Sequence, residues 1–262
     1  MKPAFTLCID IGNSQIYSGV FDAEGNIGLR FRKVMSKDMS ADEYGIFFKS
    51  VLRENGFDPE KITHIVLCSV VPEAVYSIYR ACQKYFVMDP FILKAGVKTG
   101  LQISYRNPLE VGSDRIADAI AAIHRYPNRD CIIVDFGTAT TFEAVTADRR
   151  YLGGAIAPGL KIGMQALEQR TARLPSVEIT STGVVCGRST TESIQAGLYY
   201  GHLGMIREIV GRMTEECFSS KRPVVLATGG FSQLFLDAGV FDAVLPDLVL
   251  EGLYHALLLN LE

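Results

Sequence analysis

Apolar residues in this chain gather in short runs, some continuous and some alternating with polar positions, and the runs predict its elements. Three β-type runs open the sequence at residues 5–11, 16–21 and 27–34, separated by the turn signals Gly12-Asn13 and Glu24-Gly25-Asn26. A helix is predicted over 41–55, where Tyr44, Phe47, Phe48, Val51 and Leu52 recur at helical spacing. The continuous apolar run 62–70 reads as a buried strand, 72–85 as a helix and 91–94 as a short strand. Beyond a loop, 114–124 reads as a helix whose small residues Ala117, Ala119, Ala121 and Ala122 let another backbone approach closely. The opening pattern then returns, with strands at 131–136, 140–145 and 151–156. A long amphipathic helix follows over 191–213, with Ile194, Leu198, Met205, Ile209 and Met213 along one face, then a buried strand at 223–227 and an apolar helix from about Leu248.

The return is an internal repeat. Ile9-Asp10-Ile11-Gly12 and Val134-Asp135-Phe136-Gly137 lie 125 residues apart, and each closes a first strand and opens a three-stranded meander. Two tandem α/β halves facing across a cleft are expected, and the period is too long for a solenoid. No linker of Ser and Gly separates the halves.

Composition narrows the classes. The 262 residues are 48% hydrophobic and 21% charged, too apolar for a disordered chain. A net charge of −3 gives no overall field for nucleic acid or anionic lipid. The six cysteines form no C-x-x-C pair and read as buried free thiols of a reducing compartment. No secretory leader and no run of about 20 apolar residues is present, so a cytoplasmic protein without a membrane span is expected. His64, His124, His202 and His255 are scattered without the spacing of a zinc site. Arg30, Arg32, Lys33 and Lys37 read as a solvated strand edge.

The candidate chemistry lies at the strand ends. A carboxylate beside a glycine turn, followed by small polar residues (Asn13 and Ser14; Thr138, Thr140 and Thr141), suits a phosphate that meets backbone closely and a cation that neutralises it. A hairpin turn alone explains one such copy, but not two Asp residues at the ends of apolar strands. Ala227-Thr228-Gly229-Gly230 follows another buried strand and would let a flat ring lie on backbone.

These three elements, in this order, resemble the acetate and sugar kinase, Hsp70 and actin superfamily. The resemblance sharpens at Tyr105, Gly112-Ser113-Asp114-Arg115, Asp135-Phe136-Gly137-Thr138, Gly153-Gly154 through Pro158-Gly159, and Thr190 with Gln195 and Gly197. With Asp10-Ile11-Gly12-Asn13-Ser14 they look like a type III pantothenate kinase over almost the whole chain. The resemblance implies an α/β fold of two tandem ribonuclease H-like lobes with mixed sheets, residues 1–113 and 114–262, of the actin-like ATPase superfamily. It implies ATP-dependent phosphorylation of pantothenate to 4′-phosphopantothenate, the first step of coenzyme A synthesis, with Mg²⁺, a monovalent cation (K⁺ or NH₄⁺) and a homodimer.

Position by position, it makes Asp114 the catalytic base. Asp10, Ile11, Gly12, Asn13, Ser14, Gln15, Ile16 and Tyr17 become the first phosphate loop, with Asp10 helping to hold Mg²⁺, and Thr138 touches ATP. Tyr105, Gly112, Ser113, Asp114, Arg115 and Thr190 line the pantothenate pocket, and Asp135 holds the monovalent cation. Ser113 stands where the family usually has Ala, and Ser14 where it usually has Thr. Thr190 also fits the start of a capped helix, and Arg115 also fits a structural ion pair. The rivals are another kinase or phosphatase of the superfamily, which Tyr105 and Gly112–Arg115 disfavour, and a regulator that keeps only the fold, which the presence of Asp10, Asp114 and Asp135 disfavours.

Overall fold

The computed structural model describes residues 5–218 and 222–261. In chain order its elements begin with strands β1 (Phe5–Ile11), β2 (Gln15–Asp22) and β3 (Ile27–Val34), helix α1 (Ala41–Glu54), β4 (Ile62–Ser69), α2 (Pro72–Ala81) and β5 (Phe91–Ile92). They continue with β6 (Gln102–Ile103), α3 (Ser113–Arg125), β7 (Cys131–Phe136), β8 (Ala139–Val145), β9 (Arg150–Pro158) and α4 (Leu160–Arg170). The chain then forms α5 (Thr190–Cys217), β10 (Val224–Thr228), β11 (Ala243–Val244) and α6 (Leu248–Leu261). The second predicted helix is α-helical only to Ala81 and ends in a π-helical turn, Cys82–Phe86.

Two compact units result. The first holds the chain up to Gly100, Arg106–Ala121 and the stretch from Leu248; the second holds Leu101–Tyr105 and Ala122–Asp247. The expected single boundary after residue 113 is therefore replaced by a division that cuts α3 and returns α6 to the first unit. Packing explains it. Helix α6 lies on β1, β2 and β4, and Tyr254 stacks on Phe21 with centroids 4.8 Å apart. Helices α3 and α6 touch so closely that a Cβ on Gly252 would fall 1.8 Å from the Ala117 carbonyl oxygen. Of the small residues foreseen in α3, Ala117 serves this contact. Strand β6 pairs in parallel with β9 and so joins the second unit.

In the first unit the sheet order is β3-β2-β1-β4-β5. Strands β1, β2 and β3 form an antiparallel meander, and β1 runs parallel to β4. One face carries Leu7, Ile9 and Ile11 into a core with Tyr44, Phe48 and Leu52 of α1 and Ile78 of α2. Burying a side chain of this size contributes about 1.5–3 kcal/mol, which orders the helices on the sheet. Ser40 starts α1 through a reciprocal box with Glu43.

The second unit has the order β11-β10-β7-β8-β9-β6. Its core joins Ile132, Val134 and Phe136 to Leu203, Ile206 and Val210 of α5 and to Phe235. All six cysteines are free, but only Cys8, Cys68, Cys82 and Cys131 are buried as expected; Cys217 is half-buried at the end of α5 and Cys186, in the loop before it, is exposed. Among the described residues no helix is long and apolar enough to cross a membrane.

Candidate active site

Strand pairing builds the first half of the site. Asp10 sits one residue before the end of β1, opposite Tyr17 of β2 on one side and Cys68 of β4 on the other. Tyr17 in turn stands opposite Arg32 of β3. Paired residues project from the same face, so Arg32, Tyr17, Asp10 and Cys68 form one row across four strands. The Cys68 thiol donates to Asp10 Oδ1 at 3.3 Å. Beyond Asp10 the backbone turns at once: the Gly12 N–H donates to the Gln15 carbonyl at 3.0 Å, which leaves Asn13, Ser14 and Gln15 exposed at the tip.

Asp114 stands in the first turn of α3 in the same unit, and its Oδ1 accepts from the Arg115 backbone N–H at 2.9 Å. Gly112 makes room for it, because a Cβ there would fall 2.4 Å from Asp114 Oδ1. Burial, and after it the Asp114 charge, push the Asp10 carboxyl up to about 7, against the Cys68 hydrogen bond and the Arg32 charge. Asp114 is raised too, chiefly by burial, and the Arg115 N–H and guanidinium oppose the rise. Arg115 is buried. The Ser113 hydroxyl accepts from the Ser69 N–H at 3.2 Å and donates to the Ser69 carbonyl at 3.1 Å. It therefore ties the start of α3 to the end of β4.

The second unit repeats the frame. Asp135 sits one residue before the end of β7, opposite Thr141 of β8 and Thr228 of β10. Gly229, at φ +86°, lies against this carboxylate: a Cβ would fall 2.1 Å from Asp135 Oδ1. A larger residue is thus barred both by backbone conformation and by space. Thr141 Oγ1 is buried, with no hydrogen-bond partner among the described residues. Thr138 is exposed in the turn after β7. Beside it, Thr140 Oγ1 meets His202 Nε2 at 2.8 Å, and burial lowers the His202 pKa.

Tyr105 and Thr190 occupy other parts of this unit. Tyr105 follows β6, three strands from β7, with its ring against Gly153. Thr190 is the first residue of α5. Ser189 caps that helix by accepting from the Glu192 N–H at 3.2 Å, while the Glu192 carboxylate turns back to Arg188. The exposed Thr190 then lines an open groove of about 920 Å³ with Gly163, Arg188, Ser193, Ile194 and Leu198. Each unit thus gathers its own part of the expected site: Asp10–Tyr17 and Gly112–Arg115 in the first, Asp135 and Thr138 at one sheet end of the second, with Tyr105 and Thr190 apart from them. Sequence reasoning missed Cys68 and Arg32, because only strand register places them beside Asp10 and Tyr17.

A sheet order repeated in two units, with an Asp at the same place on each central strand, is the architecture of the actin-like ATPase fold. Solved structures agree on the fold. A Streptomyces griseus ROK family glucokinase matches at TM-score 0.50 and 13% identity over 97% of this chain and 98% of its own. A Campylobacter jejuni protein named for the Baf family of transcriptional activators matches at TM-score 0.58 and 18% identity, over 97% and 98%. At such identities the likeness concerns the fold alone.

Sequence relatives are far closer. The profile of the type III pantothenate kinase family matches residues 6–212. A type III pantothenate kinase of Legionella pneumophila (strain Corby) is 57% identical over 254 residues, 97% of this chain and 98% of its own. One from Elusimicrobium minutum is 45% identical over 96% and 97%. The chain belongs to the type III pantothenate kinase family, kinases that transfer a phosphoryl group to an alcohol.

Proposed function

We propose that this chain phosphorylates pantothenate with ATP to give 4′-phosphopantothenate, in the cytoplasm and as a homodimer, with Asp114 as the base. Asp10 and Asp114 are held at the ends of a buried strand and a helix, close enough for the charge of one to raise the pKa of the other; that observation carries the reading. Phosphoryl transfer passes through a loose transition state, so fixing the acceptor hydroxyl and balancing charge matter more than a strong base. The Arg115 N–H holds one Asp114 oxygen and fixes the carboxylate plane, and the ionised form then accepts the hydroxyl proton. Gly112 and Ser113 set the turn from which Asp114 projects, and buried Arg115 suits the substrate carboxylate through its planar fork. Tyr105 and Thr190 complete the pantothenate contacts.

Nucleotide binding falls to the loop from Asp10 through Ile11, Gly12, Asn13, Ser14, Gln15 and Ile16 to Tyr17, and to Thr138. Among the described residues no group of three or more His, Cys, Asp or Glu converges as a metal cage. A Mg²⁺ ion would therefore take one carboxylate, that of Asp10, and its other oxygens from phosphate and water, as this ion commonly does. When bound, it supplies charge neutralisation across the phosphates. Asp135, with the unpartnered Thr141 hydroxyl opposite, is an all-oxygen set suited to a hard monovalent cation, K⁺ or NH₄⁺. A coupled assay of ADP release with pantothenate, run in K⁺ and then in Na⁺ with the product identified by mass, tests this. Pantothenate-dependent turnover that needs K⁺ is expected; a folded protein with no turnover in either salt would refute it.

A further inference from the structure

Arg32 is unlike the neighbouring cations Lys33 and Lys37. Lys33 projects to the opposite face, with Nζ 4.8 Å from the Phe47 ring centroid, and Lys37 lies 3.8 Å from Glu73. The Arg32 guanidinium carbon instead lies 3.7 Å above the Tyr17 ring, with Nη1 3.5 Å from Gln15 Oε1. Tyr17 is a firm platform, because only 7% of it is exposed. Strand β3 alternates, sending Leu29 and Phe31 to the core, so Arg32 shares the face of Tyr17 and Asp10. Two strand spacings, roughly 10 Å between backbones, separate Arg32 from Asp10, and the guanidinium reaches back over the gap. No carboxylate among the described residues pairs with it.

The charge balance of this face asks for such a group. Asp10 and Asp114 lie together, and the ligand expected here is a polyphosphate, whose charge one divalent ion neutralises only in part. A guanidinium already held over an aromatic ring has surrendered much of its rotamer freedom, and its planar fork matches two phosphate oxygens. We propose that Arg32 is a nucleotide-phosphate residue, stacked on Tyr17 so that its fork engages the phosphate chain held at Asp10. The inference rests on the reading of residues 10–17 as the phosphate loop.

The experiment is calorimetric titration of Mg·ADP and of adenosine into wild type, Arg32→Ala, Arg32→Lys and Asp10→Asn, with KM measured for ATP and pantothenate. One lost charge-assisted contact predicts about a 10- to 100-fold weaker Mg·ADP affinity in Arg32→Ala, and a parallel rise in KM for ATP. Adenosine affinity and KM for pantothenate should stay within about twofold, and Arg32→Lys should recover only part of the loss, because it keeps the charge without the fork. Unchanged Mg·ADP binding in Arg32→Ala, with loss in Asp10→Asn, would sink the inference and leave the phosphate-loop reading standing. If neither variant loses Mg·ADP, that reading falls as well. An equal loss of adenosine, or a loss of pantothenate instead, also overturns the inference, since the contact would then not be to phosphate.

Discussion

The two units carry the same five-stranded scaffold, β3-β2-β1-β4-β5 in one and β9-β8-β7-β10-β11 in the other, with β6 added at the far edge of the second. Both central strands pair antiparallel on one side and parallel on the other, and both carry an Asp one residue from the end. What differs is the row across the sheet. Asp10 has Cys68 on one side and Tyr17 and then Arg32 on the other; Asp135 has Thr228 on one side and Thr141 and then Ile156, 65% exposed, on the other. The first row holds an aromatic ring, a fixed cation and a second acid nearby. The second holds hydroxyls and an alkyl chain. The frame is thus repeated while the cross-strand neighbours differ, and that difference is what the proposed roles rest on: a strongly charged phosphate–metal group at Asp10, a weakly charged cation at Asp135.

Substitutions that treat the two halves alike should therefore give unlike results. The largest effect is expected outside both rows: Asp114→Asn should lower kcat by about 10²–10⁴ with little change in melting temperature, because the loss is one of proton acceptance. A variant of normal rate would remove Asp114 from the chemistry. Asp135→Asn should cost about 10- to 100-fold in kcat and abolish the difference between K⁺ and Na⁺, while Mg·ADP affinity changes far less than in Asp10→Asn. If both variants lost nucleotide and K⁺ response equally, the contrast between the rows would be wrong.

Asp10 gives the comparison a pH axis. Its folded carboxyl titrates at about 7 against an ordinary 3.8, so the folded state keeps a proton that the unfolded chain has released. Stability without ligand then falls as pH rises from about 4 through about 7, and Asp10→Asn should flatten that slope in thermal melts. Asp114, raised in the same sense, leaves a residual slope in the variant. Mg·ADP affinity runs the other way: it should weaken by up to about tenfold per unit as pH drops below 7. The smallest expected effect is that of Ser113→Ala. It removes both hydrogen bonds to Ser69 and should cost about 1–2 kcal/mol in stability, with kcat affected more than KM for ATP.

Much of this frame is legible in the chain itself. Apolar runs bounded by Gly12-Asn13 and Glu24–Asn26 fix the first meander, and the repeat of Asp-x-Gly announces the second. Helix α4 escapes such a reading, because only Leu160 of its face is buried and Gly163 interrupts it, so no apolar period appears. The unit boundary escapes it as well, since α6 returns over a gap of more than a hundred residues to cover β1. The four cations near β3 look alike in sequence. Only the register that sets Arg32 opposite Tyr17 separates it from its neighbours.

The place of α6 also orders the protein's birth. On a translating ribosome, every strand of the second unit emerges before α6 does, while the first-made sheet still waits for that helix, which packs on β1, β2 and β4. Nascent domains ordinarily mature from the N-terminus onward. Here the half that is made first waits for α6, a helix made after every strand of the second unit.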